Sequence, residues 1–97
     1  MPPRELVLEV DAAISIYERA SGHYAQATRE MIKIHGRIET LSRLAKNAKL
    51  QHGFKILRDQ DKLEQTFEAI IVRYPNEFCV DVVEAAQWRL DNANNLQ

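Results

Sequence analysis

From Leu6 to Ala48, the steps alternate between four and three residues without a slip: Leu6, Val10, Ala13, Tyr17, Ala20, Tyr24, Ala27, Met31, Ile34, Ile38, Leu41, Ala45 and Ala48 are all apolar or aromatic. This alternation keeps one seam of a helix dry for about six heptads. A helix with so long a dry seam must cover it, so the pattern predicts an all-α chain built for helix–helix association. Taken as one continuous helix over 6–48, the segment is coiled-coil-like and roughly 64 Å long at about 1.5 Å per residue.

The heptad register says how the seam is covered. Val10, Tyr17, Tyr24, Met31, Ile38 and Ala45 occupy a, while Leu6, Ala13, Ala20, Ala27, Ile34, Leu41 and Ala48 occupy d. A parallel in-register dimer sets a on a and d on d, which stacks tyrosine layers against hollow alanine layers, and cavities are penalised. An antiparallel pair sets a against d. Val10 then faces Ile34, Tyr17 faces Ala27, Tyr24 faces Ala20, Met31 faces Ala13 and Ile38 faces Leu6. Large meets small in the central layers, and Glu9 comes near Arg37. The expected self-association seam is therefore Val10, Ala13, Tyr17, Ala20, Tyr24, Ala27, Met31, Ile34 and Ile38, in an antiparallel homodimer.

Two glycines test this continuity. Gly22 and Gly36 both fall at the outward f position, where each costs about 1 kcal/mol relative to alanine but leaves the seam intact. The phase is kept across both, and His23-Tyr24-Ala25 has no good N-cap residue. Both points favour one unbroken helix. A bend at Ser21-Gly22-His23 makes nearly the same contacts within one chain, so hairpin and dimer are related as in a domain swap.

Past Ala48 the ladder is lost. Gly53 reads as a helix stop, with Phe54, Ile56 and Leu57 folding back as a short turn. A helical hairpin is expected over 59–91. Asp59 or Asp61 caps its first helix, Leu63, Phe67, Ile70, Ile71 and Tyr74 share a face, and Pro75 ends it. Asp81 with Glu84 reads as a capping box, leading into the apolar face Val82, Val83, Ala86 and Leu90. Residues 92–97 read as a frayed tail. The whole of 1–97 is expected to form a single helical domain.

Charge is unevenly placed. Residues 29–58 hold 8 basic and 2 acidic side chains, whereas 59–97 hold 3 and 8, within a net charge of −1. Arg29, Lys33 and Arg37 are spaced by four, and Arg43, Lys46, Lys49, Lys55 and Arg58 extend the basic stretch. Such a stripe suits a phosphate backbone. The plainer reading is a solvated face neutralised by the acidic C-terminal helices. Trp88 lies about 160° from the centre of the apolar face of its helix, taking about 100° per residue, and is a candidate partner anchor or a contact with a second helix.

Catalytic patterns are lacking. His23, His35 and His52 stand in no metal-binding spacing, and there is no glycine-rich phosphate loop or nucleophile–base motif. Cys79 beside Phe78 reads as a small buried residue. No enzyme activity, metal or cofactor is expected. A single cysteine, an N-terminus without a signal-peptide plan and no run of 18 apolar residues point to a cytoplasmic protein away from the membrane. The sequence thus predicts a small intracellular interaction or adapter protein that self-associates and binds another, unidentified protein. The alternative is a nucleic-acid-binding accessory or regulatory protein using 29–58. Candidate partner or phosphate contacts are Arg29, Lys33, Arg37, Arg43, Lys46 and Trp88.

Overall fold

A straight helix from 6 to 48 would hold Leu6 and Leu41 about 52 Å apart, yet the longest extent of the molecule is 34 Å and both residues lie in one core. The computed structural model describes residues 2–47 and 52–96. Among these, the chain is all-helical: α1 (Arg4–Ser21), α2 (Gln26–Lys46), α3 (His52–Asp59), α4 (Phe67–Arg73) and α5 (Val80–Asp91), with single 3-10 turns at Leu63–Gln65, Pro75–Glu77 and Ala93–Asn95.

The expected continuous helix is corrected at both glycines. Gly22 takes φ 76° and Gly36 takes φ 83°, a region that only glycine enters without cost. At Gly22 the N–H donates to the Glu18 carbonyl at 2.9 Å, which closes α1. At Gly36 the backbone leaves helical geometry inside α2 and kinks it. The outward f position that makes a glycine harmless to the seam also leaves room to turn there. The ladder's last position, Ala48, and Lys49, Leu50 and Gln51 lie outside the described residues.

α4 is the hub. It packs on α1, α2 and α5, while α1 also rests on α3 and α2 on α5. Ile70 and Ile71 of α4 meet Leu6, Val10, Ala13 and Ile14 of α1, Leu41 and Ala45 of α2, and Phe78, Val82 and Ala86 at the C-terminal end, all buried in one cluster. Among the described residues, the ladder is buried in this core at its two ends, with Ile38 packed against it. Ile34, paired with Val10 in the antiparallel register, is instead 74% exposed.

Other boundaries shift for local reasons. Gly53 sits inside α3 rather than stopping a helix, and Phe54 and Leu57 of α3 are buried. Asp59 ends α3, Asp61 takes φ 59°, and neither caps α4. The cap of α4 is Thr66, whose Oγ1 accepts from the Ala69 N–H at 3.1 Å. α5 starts one residue before Asp81, with Cys79 as N-cap and no side-chain cap. The expected capping box is thus absent: Asp81 lies inside the helix, where its Oδ1 accepts from the Val82 N–H at 2.9 Å and its Oδ2 from Lys46 at 2.7 Å. Over its described residues, 92–96, the tail is held rather than frayed: Arg58 Nη1 donates to the carbonyls of Ala93 at 2.8 Å and Leu96 at 2.6 Å, and Ala93 is buried.

Candidate interaction surface

Folding divides the predicted seam into three parts. Val10 and Ala13 are buried in the core, so they are spent within one chain. Tyr17, Ala20, Met31 and Ile38 are half-buried. Tyr24, Ala27 and Ile34 are exposed, Tyr24 at 71%. Among the described residues, the unburied stretch is therefore the middle of the ladder, on either side of the Gly22 turn.

A cavity of about 320 Å³ opens beside that stretch, between the end of α1, the start of α2 and α3. Tyr17, Tyr24, Ala27, Phe54, Leu57 and Phe67 supply its apolar wall, and His52, Gln65, Thr66 and Glu68 add polar groups. Its size is at the lower end of the range for ligand pockets. Gly53 also lines it, and a side chain there would meet the Tyr17 ring at 3.5 Å, an ordinary contact.

The basic stripe is largely engaged. Arg29 grips Glu18 with two bonds, Nε to Oε2 at 2.9 Å and Nη2 to Oε1 at 2.7 Å, and its guanidinium lies 5.2 Å from the Tyr24 ring centroid. Arg37 holds Asp11 at 2.9 Å rather than coming to Glu9. Arg43 pairs with Glu39 on its own helix and Lys46 with Asp81, both at 2.7 Å. Lys33 is exposed. The charge distribution along the chain predicts neutralisation by the acidic C-terminal helices. Among these pairs only Asp81 belongs to them, and α1 supplies Glu18 and Asp11. Glu9 is taken by Arg73, whose Nε donates at 2.9 Å, and by the Tyr74 hydroxyl.

Glu18 is the electrostatic centre of the turn. Its bonds from Arg29, then from the Ala25 N–H at 2.7 Å, hold its carboxyl down at about 2 against an ordinary 4.5. A carboxyl depressed in the folded state stabilises above its unfolded value, and that contribution is lost as pH falls through the folded one. The Glu18 contribution should therefore be complete above about pH 4.5 and disappear towards pH 2. Denaturant titrations across that window should show a shallower pH dependence for Glu18→Gln than for the wild type. Identical slopes would mean that the pair does not hold the turn.

The least expected feature is a buried ion pair. Arg89 of α5 is 4% exposed and donates from Nη1 to Glu68 of α4. Its Nη2 donates to the Ala45 carbonyl at 3.0 Å, so the guanidinium also caps the C-terminal end of α2, where a cation is favoured. Burial pushes the Glu68 carboxyl up, and the Arg89 charge pulls it partly back. A signal for Arg89 existed: Val82, Ala86, Arg89 and Ala93 keep a four-three-four spacing and all are buried. Read that way, Arg89 stands in an apolar slot and needs a carboxylate. Nothing in the sequence picks Glu68 from the other acidic residues.

Trp88 is 56% exposed on the outer side of α5, as its angle predicts. Cys79 is exposed, not buried, because as N-cap of α5 it sits at the rim while Phe78 turns inward. His23, His35 and His52 are exposed and apart, and no group of three or more potential metal ligands occurs among the described residues. No helix among them is long and apolar enough to cross a membrane. No family model, curated protein or solved structure matches the chain.

Proposed function

We propose that this chain is a small intracellular helical interaction protein that self-associates as a homodimer and acts by binding another macromolecule. The observation that carries the reading is the exposed middle of the ladder: Tyr24 and Ala27 stand uncovered at the mouth of an apolar cavity, with Ile34 farther along the same helix. Apolar residues of helical spacing left open beside a concave apolar wall are the usual raw material of a helix-docking surface. The second reading, nucleic-acid binding through 29–58, has less behind it, since Arg29, Arg37, Arg43 and Lys46 each have a carboxylate partner. Phosphate contacts would have to displace those pairs.

Sedimentation equilibrium tests self-association. The wild type should show a reversible monomer–dimer equilibrium in the micromolar range. Ala27→Glu should weaken it at least tenfold with little change in thermal midpoint, because Ala27 is exposed in the single chain. A wild type that stays monomeric at high micromolar concentration would overturn the homodimer.

A further inference from the structure

The turn between α1 and α2 is closed by unequal ends. Its first half is well made: Gly22 adopts φ 76° and returns its N–H to Glu18. Its second half is not. α2 starts at Gln26, its N-cap Ala25 provides no side-chain cap, and the Ala25 N–H depends on the Glu18 carboxylate, seven residues back, for its partner. No residue from Ser21 to Gln26 forbids helix; proline is absent, and alanine and glutamine favour it. A Cβ placed on Gly22 meets no atom within 4 Å, so backbone angle rather than crowding selects glycine there. Beyond these local points, the apolar phase runs through Gly22 unchanged, as though the helix did not stop.

Straightening the turn would carry α1 off the molecule. α1 rests mainly on α3 and α4 and buries Leu6, Val10, Ala13 and Ile14 there. Those side chains cannot stay in water, and the cleft they leave fits only the same surface. We infer that the chain dimerises by exchanging α1: residues 22–25 become helical, α1 and the first half of α2 join into one rod, and each α1 fills the α3–α4 cleft of a second copy. The inference rests on the self-association proposed above and specifies its mode.

The single chain leaves exposed the residues that such a dimer covers. Around the two-fold axis, two antiparallel rods set Tyr24 against Ala20, a layer that occurs twice. Tyr24 and Ala27 are exposed in the single chain, and Tyr17 and Ala20 are half-buried. Glu18 and Arg29, about 16 Å apart along a straight helix, lose their bond within one chain. The swap therefore keeps the native contacts of α1 and, where residues 22–25 straighten, adds Tyr24–Ala20 layers that the bent form lacks. Against it stand the entropy of association and the glycine turn itself, which makes Gly22 the switch.

Gly22→Ala tests this directly, since it strains the left-handed turn and favours the rod. The dimer dissociation constant should fall at least tenfold. Exchange is read by cross-linking. One chain carries Glu9→Cys and a second, mass-tagged chain carries Arg73→Cys, both with Cys79→Ser; these positions are joined by an ion pair between α1 and α4. After co-refolding, a short bismaleimide should link the two different chains in high yield. Dimers without that mixed product would leave self-association standing and overturn the exchange. An alanine variant that is folded by circular dichroism and as monomeric as the wild type would also overturn it. Should Gly22→Ala fail to fold, the mixed pair with Gly22 retained, refolded at high micromolar concentration, must give the mixed product, and its absence rejects the proposal.

Discussion

Glu68→Ala should destabilise the protein by about 3–5 kcal/mol, because it leaves the Arg89 guanidinium charged, buried and without its counter-ion. Arg89 cannot escape the penalty by losing its proton, and its bonds to the end of α2 keep it in place. Its Nε is already buried without a partner, so the site has no spare acceptor to take over. Urea unfolding monitored by circular dichroism measures the loss. Replacing both members, Glu68→Leu with Arg89→Met, should restore most of it, since apolar residues of similar volume commonly match or exceed a buried ion pair. If the double variant is no more stable than Glu68→Ala, the pair is holding the junction of α2, α4 and α5 through its hydrogen bonds and not merely balancing a charge. A single-variant loss under about 1 kcal/mol would show that water reaches Arg89.

Leu41→Ala and Ile34→Ala should differ sharply, although both residues are large d positions of the same ladder. Leu41 is fully buried in the core with Ile70, Ile71 and Val10. Its truncation should cost about 2–5 kcal/mol, from lost transfer energy and the cavity left behind. Ile34 is mostly in water, so its truncation should stay within about 0.5 kcal/mol at concentrations where the chain is monomeric. For a domain of this size each kcal/mol is worth about 4–8 °C in the midpoint, so thermal scans at low concentration separate the two. Equal losses would mean that Ile34 is packed, as a continuous antiparallel seam requires, and that the form bent between α1 and α2 is not the form in solution.

Periodicity and punctuation alone established a good deal. Thirteen ladder positions and the one-faced segments after them specify helices, since a period near 3.6 residues can be satisfied no other way. Val82, Ala86, Ile70 and Ile71 were legible as core for the same reason, and Trp88 as an outward residue. Pro75 marks a boundary because ring geometry is local. What the sequence could not weigh was competition between partners for one seam. The ladder's spacing favours a rod paired with another chain but also fits helices folded onto a third, because both keep the same apolar phase. Only the tertiary structure shows α4 supplying Ile70 and Ile71 to both ends of the ladder, which makes a bend at Gly22 worth its cost and leaves Tyr24, Ala27 and Ile34 uncovered. The same holds for charge. Basic and acidic segments are visible in the chain, but whether Arg29 meets Glu18 or a phosphate, and whether Arg89 meets Glu68, depends on distances across helices that sequence neighbours do not set. Local chemistry decided the elements, whereas the choice among burial partners, a property of the assembled core, decided where the long helix breaks.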